Sequence, residues 1–245
     1  MQQNLNGKRV LITGASRGVG AALAVIMAQR GADMVLNYRS KRPRAEAVAE
    51  EVRKLGRRAV PAQADITSQE DVMRMMHEVE AAFGGLDVPV LNASGGLEKN
   101  QTSDYAMRLN RDAQVNLVEC ALPLMPKGSQ IVFVTSHLAH SYGEKPVLPG
   151  YEPVAESKRA GEEELRERIP TLNERGISLV VVSGDLIEGT ITPKLLQRAS
   201  PGLIEARRAE AGGLPTTEAF AAAIADAAGN AELKSGDTVY VGNVD

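Results

Sequence analysis

Short apolar segments alternate with helix-like segments along nearly the whole chain, and this alternation restricts the fold more than any other feature. Strands are predicted over residues 8–13, 33–37, 59–64, 88–92, 130–135, 177–183 and 238–241. Helices are predicted over residues 19–30, 44–55, 68–83, 105–124, 154–168 and 217–228. Apolar strands separated by helices are typical of βαβ units, in which a parallel sheet is covered on both faces. The sequence therefore predicts an α/β fold with a doubly wound parallel sheet.

No linker, low-complexity tract or repeat interrupts the alternation, so we expect residues 1–245 to form a single domain. The net charge of −3 gives no electrostatic basis for a nucleic-acid partner or an anionic membrane. No apolar run approaches the roughly 18 residues of a membrane span, and residues 1–6 lack the pattern of a signal peptide. The single cysteine, Cys120, excludes an intramolecular disulfide and suits a packing role. We expect a soluble cytoplasmic protein with no nucleic-acid, membrane or metal partner.

Three glycines lie within residues 13–20 (TGASRGVG), at the junction of the first predicted strand and the first predicted helix. Gly14 permits a tight turn, Gly18 lets the backbone approach a pyrophosphate, and Gly20 allows close helix–strand packing. The free N–H groups and the dipole at the start of the helix suit a phosphate. A purely structural turn is the alternative. The position at the first strand–helix junction favours dinucleotide binding and a Rossmann-type sheet.

The spacing T-G-x-x-x-G-x-G resembles that of the short-chain dehydrogenase/reductase family, and later positions extend the resemblance over nearly the whole chain. The matching positions are Asp65-Ile66, Asn92-Ala93-Ser94, Asn110, Ser136, Ser157-Lys158, Ser183-Gly184, Thr190 and Thr192. Leu91-Asn92-Ala93-Ser94 departs from the family's N-N-A-G at its first and last residues. Taken alone, Asp65 could instead cap the following helix, and Asn92 could satisfy backbone groups at a strand end.

The resemblance implies a nicotinamide dinucleotide as cofactor. Family members that bind NAD place an acid at the end of the second strand to accept the ribose 2′-hydroxyl. That position is Tyr38 here, Arg39 follows it, and Arg17 lies in the glycine loop. Arginine binds phosphate in a bidentate manner, so these residues predict NADP(H) unless both arginines are only solvated surface charges. The predicted cofactor-binding residues are Gly14, Ser16, Arg17, Gly18, Val19, Gly20, Tyr38, Arg39, Ser40, Asp65, Ile66, Asn92, Ala93, Ser94, Lys158, Gly184, Thr190 and Thr192.

The resemblance also implies a catalytic set in which a serine orients the substrate carbonyl and a tyrosine donates the proton. A lysine four residues after the tyrosine lowers the pKa of that tyrosine, and an asparagine anchors a water relay. This set suits hydride transfer because the alkoxide must be protonated as it forms. Ser136, Lys158 and Asn110 match three of the four positions, and Asn116 is an alternative to Asn110.

The tyrosine is where the sequence departs from the family pattern, because Val154 stands four residues before Lys158. The nearest tyrosine is Tyr151, seven residues before Lys158, which would be about 10.5 Å along a regular helix. Pro153 is suited to be the first helical residue, which would leave Tyr151 in the preceding loop, free to approach Ser136. We therefore predict Tyr151 as the proton donor. The alternatives are Tyr142, His137 and His140.

The function implied is an NADPH-dependent ketoreductase or alcohol dehydrogenase that transfers hydride between nicotinamide and a small carbonyl or alcohol substrate. A non-catalytic NADP(H)-binding sensor or regulatory protein is one alternative, and an atypical enzyme without the usual tyrosine is another. Residues 183–213, with a short helix near 194–199, are predicted to form a lid over the substrate. The resemblance also implies a homotetramer or homodimer paired through helices 105–124 and 154–168. Both carry apolar stripes that core packing would equally require: Val115, Val118 and Leu122; Val154, Leu165 and Ile169.

Overall fold

Seven parallel strands form one sheet in the computed structural model, which describes residues 4–98, 102 and 104–243. The strands are β1 (Arg9–Ile12), β2 (Asp33–Tyr38), β3 (Ala59–Gln63), β4 (Val88–Leu91), β5 (Gln130–Ser136), β6 (Ser178–Gly184) and β7 (Thr238–Val241). Their spatial order is β3-β2-β1-β4-β5-β6-β7, so the chain reverses direction across the sheet between β1 and β4. The predicted doubly wound parallel sheet is confirmed. The expectation about residues 1–6 rests partly on residues 1–3, which lie outside the described residues.

Eleven α-helices of the described residues connect the strands. They are α1 (Gly18–Gln29), α2 (Arg42–Lys54), α3 (Gln69–Phe83), α4 (Tyr105–Met107), α5 (Ala113–Ala121), α6 (His137–His140), α7 (Glu152–Glu167), α8 (Ile169–Glu174), α9 (Ile191–Ala199), α10 (Leu203–Glu210) and α11 (Thr217–Ala227). None of the helices in the described part of the chain is long and apolar enough to cross a membrane.

Three helix predictions need correction. The single helix predicted over 105–124 is divided, because a π-helical turn (Arg108–Asp112) separates α4 from α5 and a 3₁₀ turn (Leu122–Leu124) follows. Helix α7 begins at Glu152, so Pro153 is its second residue rather than its first, and the missing N–H is tolerated throughout the first turn. Residues 183–213, predicted to form a lid, contain two helices, α9 and α10, instead of the one predicted near 194–199.

Alternate residues of the central strands fill two apolar cores, one on each face of the sheet. Val10 and Ile12 of β1 point into the core that α1 and α11 cover, with Leu23 among the buried residues of α1. Leu11 points into the opposite core, which is covered by α3 and α5 and includes Leu117. This alternation follows from the two-residue period of a strand. It leaves the carboxyl ends of the strands as the polar edge of the sheet.

The apolar stripes that suggested an oligomer interface pack within the chain itself. Val118, Leu122 and Leu165 are buried in the core beneath α5, and Val154 is buried in a smaller cluster under the lid. Val115 and Ile169 are half-buried against the same core as α5. The stripes therefore reflect core packing, and the homo-oligomer stays a prediction from the family resemblance alone.

Helix α7 lies against the π-helical turn at a contact that only glycine permits. A Cβ atom on Gly161 would overlap the carbonyl oxygen of Asn110 and lie 3.2 Å from the Cα atom of Arg111. The absence of a side chain thus sets how closely α7 approaches the segment that carries Asn110.

Gly161→Ala is expected to destabilise the fold by about 2 kcal/mol, because overpacking at backbone atoms costs about 1–3 kcal/mol. Alanine is the better helix former by about 1 kcal/mol, so helix propensity alone predicts the opposite sign. Urea unfolding at equilibrium measures the difference. Glu156→Ala, at an exposed position of α7, is the control and should change stability by less than about 0.5 kcal/mol. A Gly161→Ala variant as stable as the wild type would contradict the close contact.

Candidate active site

The loop between β1 and α1 presents an open, uncapped helix N-terminus. Gly14 and Gly18 have positive φ angles of 67° and 54°, which glycine adopts without strain. A Cβ on Gly20 would lie 2.5 Å from the Gly14 carbonyl oxygen, so the third glycine is required by packing. A Cβ on Gly18 would meet only the Thr190 methyl group, at 4.0 Å. No side chain caps α1, and no acid lies in its first turn. The loop can therefore receive an anionic group.

Thr13 and Asn92 fasten this loop to the end of β4. The Thr13 hydroxyl accepts hydrogen bonds from the backbone N–H groups of Asn92 and Ala93, each at 2.9 Å. The Asn92 side-chain amide donates to the Thr13 carbonyl at 2.8 Å. Asn92 therefore satisfies backbone groups at a strand end, as its alternative interpretation proposed. It nevertheless also lines the cleft described below.

Asn37, which is not among the predicted residues, also fastens the loop after β1, in this case to the ends of β2 and β3. It is 2% exposed. Its side-chain oxygen accepts from the Gly14 N–H at 3.3 Å, and its amide donates to the Ala64 carbonyl at 3.1 Å. Its own backbone carbonyl accepts from the Ala15 N–H at 2.8 Å. The available signal was a polar residue near the end of an otherwise apolar strand.

A cleft of about 620 Å³ runs along the carboxyl ends of the strands from the glycine loop. Most predicted cofactor-binding residues line it: Gly14, Ser16, Arg17, Gly18, Val19, Gly20, Tyr38, Arg39, Ser40, Asp65, Ile66, Asn92, Ala93, Ser94 and Thr190. Lys158 and Thr192 line an adjoining cavity of about 180 Å³. Gly184 lines neither. A Cβ there would overlap the Phe220 ring, so packing explains this glycine.

Asp65 does not cap α3, so the alternative raised for it is wrong. Its carboxylate accepts hydrogen bonds from the backbone N–H of Thr67 at 3.0 Å and from the Thr67 hydroxyl at 2.7 Å. Ser68 is the N-cap, and its hydroxyl accepts from the Asp71 N–H at 3.3 Å. Asp65 thus shapes the wall of the cleft.

Positive charge gathers where β2 ends. Arg17 and Arg39 line the cleft as predicted, and Lys41 and Arg44 join them. Arg39 donates to the Tyr105 hydroxyl at 2.6 Å, which orients its guanidinium. The sequence analysis missed Lys41, Arg44 and Tyr105. The run RSKRPR at residues 39–44 signalled the first two.

Ser136 and Tyr151 meet in the adjoining cavity. Their hydroxyl oxygens are 3.1 Å apart, and Tyr151 is 4% exposed. Tyr151 lies immediately before α7, so its ring reaches β5 from the preceding loop. The Ser136 hydroxyl also accepts from the Ala139 N–H at 3.2 Å and thereby caps α6.

Lys158 faces the same cavity from the inner side of α7 and is 8% exposed. Among the described residues its ammonium has no hydrogen bond or ion pair, which leaves it available to a ligand. Asn110 is 1% exposed, and its amide donates to the Gly95 carbonyl at 2.8 Å and to the Ser157 hydroxyl at 2.9 Å. Asn116 lies on α5 near Cys120. The structure therefore brings Asn110, and not Asn116, beside Ser157-Lys158.

The alternative proton donors lie elsewhere. His137 bonds the Ser183 hydroxyl at 2.9 Å and the Val241 carbonyl at 3.2 Å, and burial lowers its pKa. His140 bonds Glu162. Within the described part of the chain, neither histidine nor Tyr142 lines the cavity. Nor do the described residues contain a group of three or more side chains able to hold a metal ion.

Asp185 was not predicted, yet it lines the cavity at the end of β6. It is 4% exposed, and Arg207 of α10 binds its carboxylate at 2.8 Å. This ion pair fastens α10 to the end of β6. The Thr135 hydroxyl also lies in the cavity wall and is buried without a partner among the described residues.

Burial controls the ionisation of the two central groups. It raises the pKa of Tyr151, while the hydrogen bond to Ser136 acts in the opposite direction and the Asp185 charge adds to the rise. Burial lowers the pKa of Lys158 to about 8, against the attraction of Glu162. Tyr151 therefore carries its proton at neutral pH, as a proton donor must.

A family model described as short chain dehydrogenase matches residues 8–199. The hydroxynaphthalene reductase-like protein Arp2 of Metarhizium guizhouense is 36% identical over 166 residues, which cover 65% of this chain and 61% of that protein. Versicolorin reductase of Emericella nidulans is 37% identical over 145 residues, which cover 57% and 55%. The chain thus spans less than two thirds of the length of these curated relatives.

Several solved structures match over 98% of both chains, and two of them contain a bound dinucleotide. A short chain dehydrogenase of Burkholderia cenocepacia in complex with NADP is 29% identical, with a TM-score of 0.83. A blue fluorescent protein from a metagenomic library in complex with NADPH is also 29% identical, with a TM-score of 0.82.

Lys158→Met is expected to stabilise the protein at pH 7 by about 3 kcal/mol, because a pKa lowered from 10.5 to about 8 means that folding disfavours the charged amine. The gain in stability should be complete below pH 8 and shrink between pH 8 and 10.5. It should vanish above pH 10.5, where Lys158 is neutral in the unfolded chain as well as in the folded protein. Denaturant unfolding at pH 7 and pH 10 measures it. Lys127→Met, at an exposed position, should show no such pH-dependent gain. A gain equal at both pH values would contradict a buried, ionised Lys158.

Proposed function

The chain belongs to the short-chain dehydrogenase family, and on that premise we propose that it is an NADPH-dependent oxidoreductase that transfers hydride between nicotinamide and a carbonyl or alcohol group. One observation carries the proposal. The hydroxyls of Ser136 and Tyr151 are 3.1 Å apart in the cavity that Lys158 also lines. That cavity adjoins the cleft above the glycine loop, and both are lined by Arg17, Asn92 and Thr190.

The residues present fit a dinucleotide phosphate. The uncapped start of α1 and the open space above Gly18 suit the pyrophosphate. Arg17 and Arg39 line the cleft and would bind the 2′-phosphate, with Lys41 and Arg44 adding positive charge. Two structures similar to this chain contain NADP or NADPH. The bound nicotinamide would supply or accept the hydride.

The chain's own side chains would handle the proton. Ser136 donates a hydrogen bond to the substrate oxygen, and Tyr151 transfers its proton there as negative charge develops. The Lys158 ammonium lines the same cavity, where it would hold the cofactor ribose and stabilise the resulting phenolate. The raised pKa of Tyr151 keeps this residue protonated, which is the form that carbonyl reduction requires. Because the Tyr151 hydroxyl reaches Ser136 from the loop before α7, this chemistry does not need a tyrosine at position 154.

The substrate side of the cavity supports a carbonyl compound with apolar substituents. Its wall includes Leu97, Leu186, Ile191 and Leu195. Asp185 is the buried carboxylate in that wall, and Arg207 neutralises its charge. The curated relatives named above are reductases or reductase-like proteins. We propose that α9 and α10 form the lid that encloses the substrate.

The chain should bind NADPH more tightly than NADH, and Arg39→Asp should weaken NADPH binding roughly tenfold or more. Loss of a charge-assisted contact costs about 1.5–3 kcal/mol, and the new carboxylate would repel the phosphate. Fluorescence titration with both cofactors measures the effect. Arg42→Asp makes the same charge change outside the cleft and should leave the preference for NADPH intact. Equal affinity of the wild type for both cofactors would refute the arginine assignment.

Tyr151→Phe should keep NADPH binding and lower turnover by about 10²–10⁴, because only the proton donor is lost. NADPH oxidation across a panel of ketones and aldehydes measures turnover, with cofactor titration in parallel. Tyr142→Phe, outside the cavity, is the control and should remain active. A wild type that binds NADPH but reduces no compound would indicate the sensor or regulatory alternative. Full activity in Tyr151→Phe would remove this tyrosine from the mechanism.

A further inference from the structure

A buried carboxylate lies one helical turn beyond Lys158. Glu162 is 1% exposed, and α7 places it on the same inner face as Lys158. Residues four apart on a helix are neighbours on its surface. A glutamate is almost never fully buried without a partner, because removing its charge from water is costly. The position of Glu162 therefore calls for an explanation that core packing does not supply.

Two neighbours hold this carboxylate in its ionised form. The Nδ1 atom of His140 lies 2.8 and 2.9 Å from its two oxygens, and Arg166 donates to it at 2.8 Å. Burial acts to raise the pKa of Glu162, but the hydrogen bonds from His140 and Arg166 and their charges lower it overall. The carboxylate is thus oriented and charged at neutral pH.

The same contacts connect the two segments that carry the proton-transfer groups. His140 ends α6, which begins directly after Ser136, and Glu162 follows Lys158 by one turn. Arg166 is itself anchored away from the cavity, since it donates to the Gly236 carbonyl and to the Thr238 hydroxyl. Arg166 therefore holds Glu162 from the side opposite to Lys158 along α7.

We propose that Glu162 is a positioning residue for hydride transfer, whose buried carboxylate, held by His140 and Arg166, is the counter-charge that keeps Lys158 cationic in the site. The inference rests on the proposed function for its catalytic meaning. Lys158 has no ion-pair partner within 4.0 Å among the described residues, so the attraction of Glu162 acts over a longer distance than a salt bridge. Glu162 is the group whose charge opposes the effect of burial on Lys158.

Other charges near the pair do not replace Glu162. The titratable and charged groups on the surrounding elements are Tyr151 before α7, Arg159 and Arg166 on α7, His137 and His140 on α6, Asp185 after β6, Arg207 on α10 and Tyr240 on β7. Asp185 is bound by Arg207, and Tyr240 contacts the Nε2 atom of His140 at 2.9 Å on the solvent side. Glu162 is paired as well, with Arg166 at 2.8 Å, but it lies on the same helix as Lys158 and one turn from it, whereas Asp185 follows β6.

The experiment is a titration of Lys158 in the cofactor-free protein. Lysine side-chain NMR signals are followed against pH, and Lys158→Met assigns the signal of Lys158. The wild-type pKa of Lys158 should be about 8. In Glu162→Gln, whose side chain can still bond His140 and Arg166, the pKa of Lys158 should be lower than in the wild type by about one. Glu162→Asp keeps the charge and should restore most of the wild-type value.

Glu163→Gln is the matched control, because the neighbouring Glu163 is exposed and pairs with Arg159 at 2.7 Å. It makes the same charge change on the same helix and should leave the pKa of Lys158 unchanged. If Glu162→Gln does not fold, the double variant Glu162→Met/His140→Leu replaces the buried pair by apolar residues of similar size. The pKa of Lys158 should fall in that variant too. An unchanged pKa of Lys158 in the folded Glu162 variant, or an equal fall in Glu163→Gln, would overturn the proposal.

Kinetics supply a second readout that a merely structural role would not move. If turnover requires charged Lys158, Glu162→Gln should lose about fivefold at pH 8 and less than about twofold at pH 6. A loss equal at both pH values would contradict the counter-charge role. The NMR titration needs neither substrate nor cofactor, so it tests Glu162 even where no carbonyl is reduced. Failure of the proposed function would appear instead in the assay of wild type and Tyr151→Phe.

Discussion

Hydrogen bonds at the carboxyl ends of the central strands are the interactions on which the site depends. Thr13 and Asn92 join the first loop to β4, and Asn37 joins the same loop to β2 and β3. Parallel strands end at one edge, and the backbone groups there no longer have ladder partners. These side chains satisfy them and fix the loop that begins α1. The cleft, and the cavity beside it, take their shape from that edge.

The second part of the site, the cavity that Lys158 lines, lowers the stability of the fold. Burial of Lys158 disfavours its charged form, while the chemistry proposed for it needs that charge. Further polar groups are buried near the lysine. Glu162 follows Lys158 by one helical turn, and His140 and Arg166 bind the Glu162 carboxylate. A half-satisfied network would be worse than an apolar core. This explains why α7, amphipathic by sequence, carries so much polarity on its inner face.

Local patterns predicted the fold and most of the cleft, because strand and helix periods and glycine spacing are written in neighbouring residues. They did not predict the contacts that depend on distant parts of the chain. Arg39 meets Tyr105 across 66 residues, and Asp185 meets Arg207 across 22. The π-helical turn also escaped prediction, since it accompanies the packing of α7 at Gly161 rather than a breaker in its own sequence. Such pairings arise only when tertiary structure brings the segments together.

Tyr151 shows why the spacing of a sequence motif indicates a proton donor less well than the geometry of the site does. Four-residue spacing places a tyrosine one turn before the lysine on the same helix, whereas here the tyrosine precedes the helix altogether. Proton transfer depends on where the hydroxyl lies and on its ionisation, and neither is fixed by residue number. The backbone at Tyr151 lies just outside α7, and its ring is long enough to bring the hydroxyl 3.1 Å from Ser136. Val154, at the usual position, then serves as part of the apolar wall. In the function we propose, the departure from the family pattern is a change in which part of the backbone carries the hydroxyl, and Tyr151 would meet the requirement for a buried, protonated phenol beside Ser136.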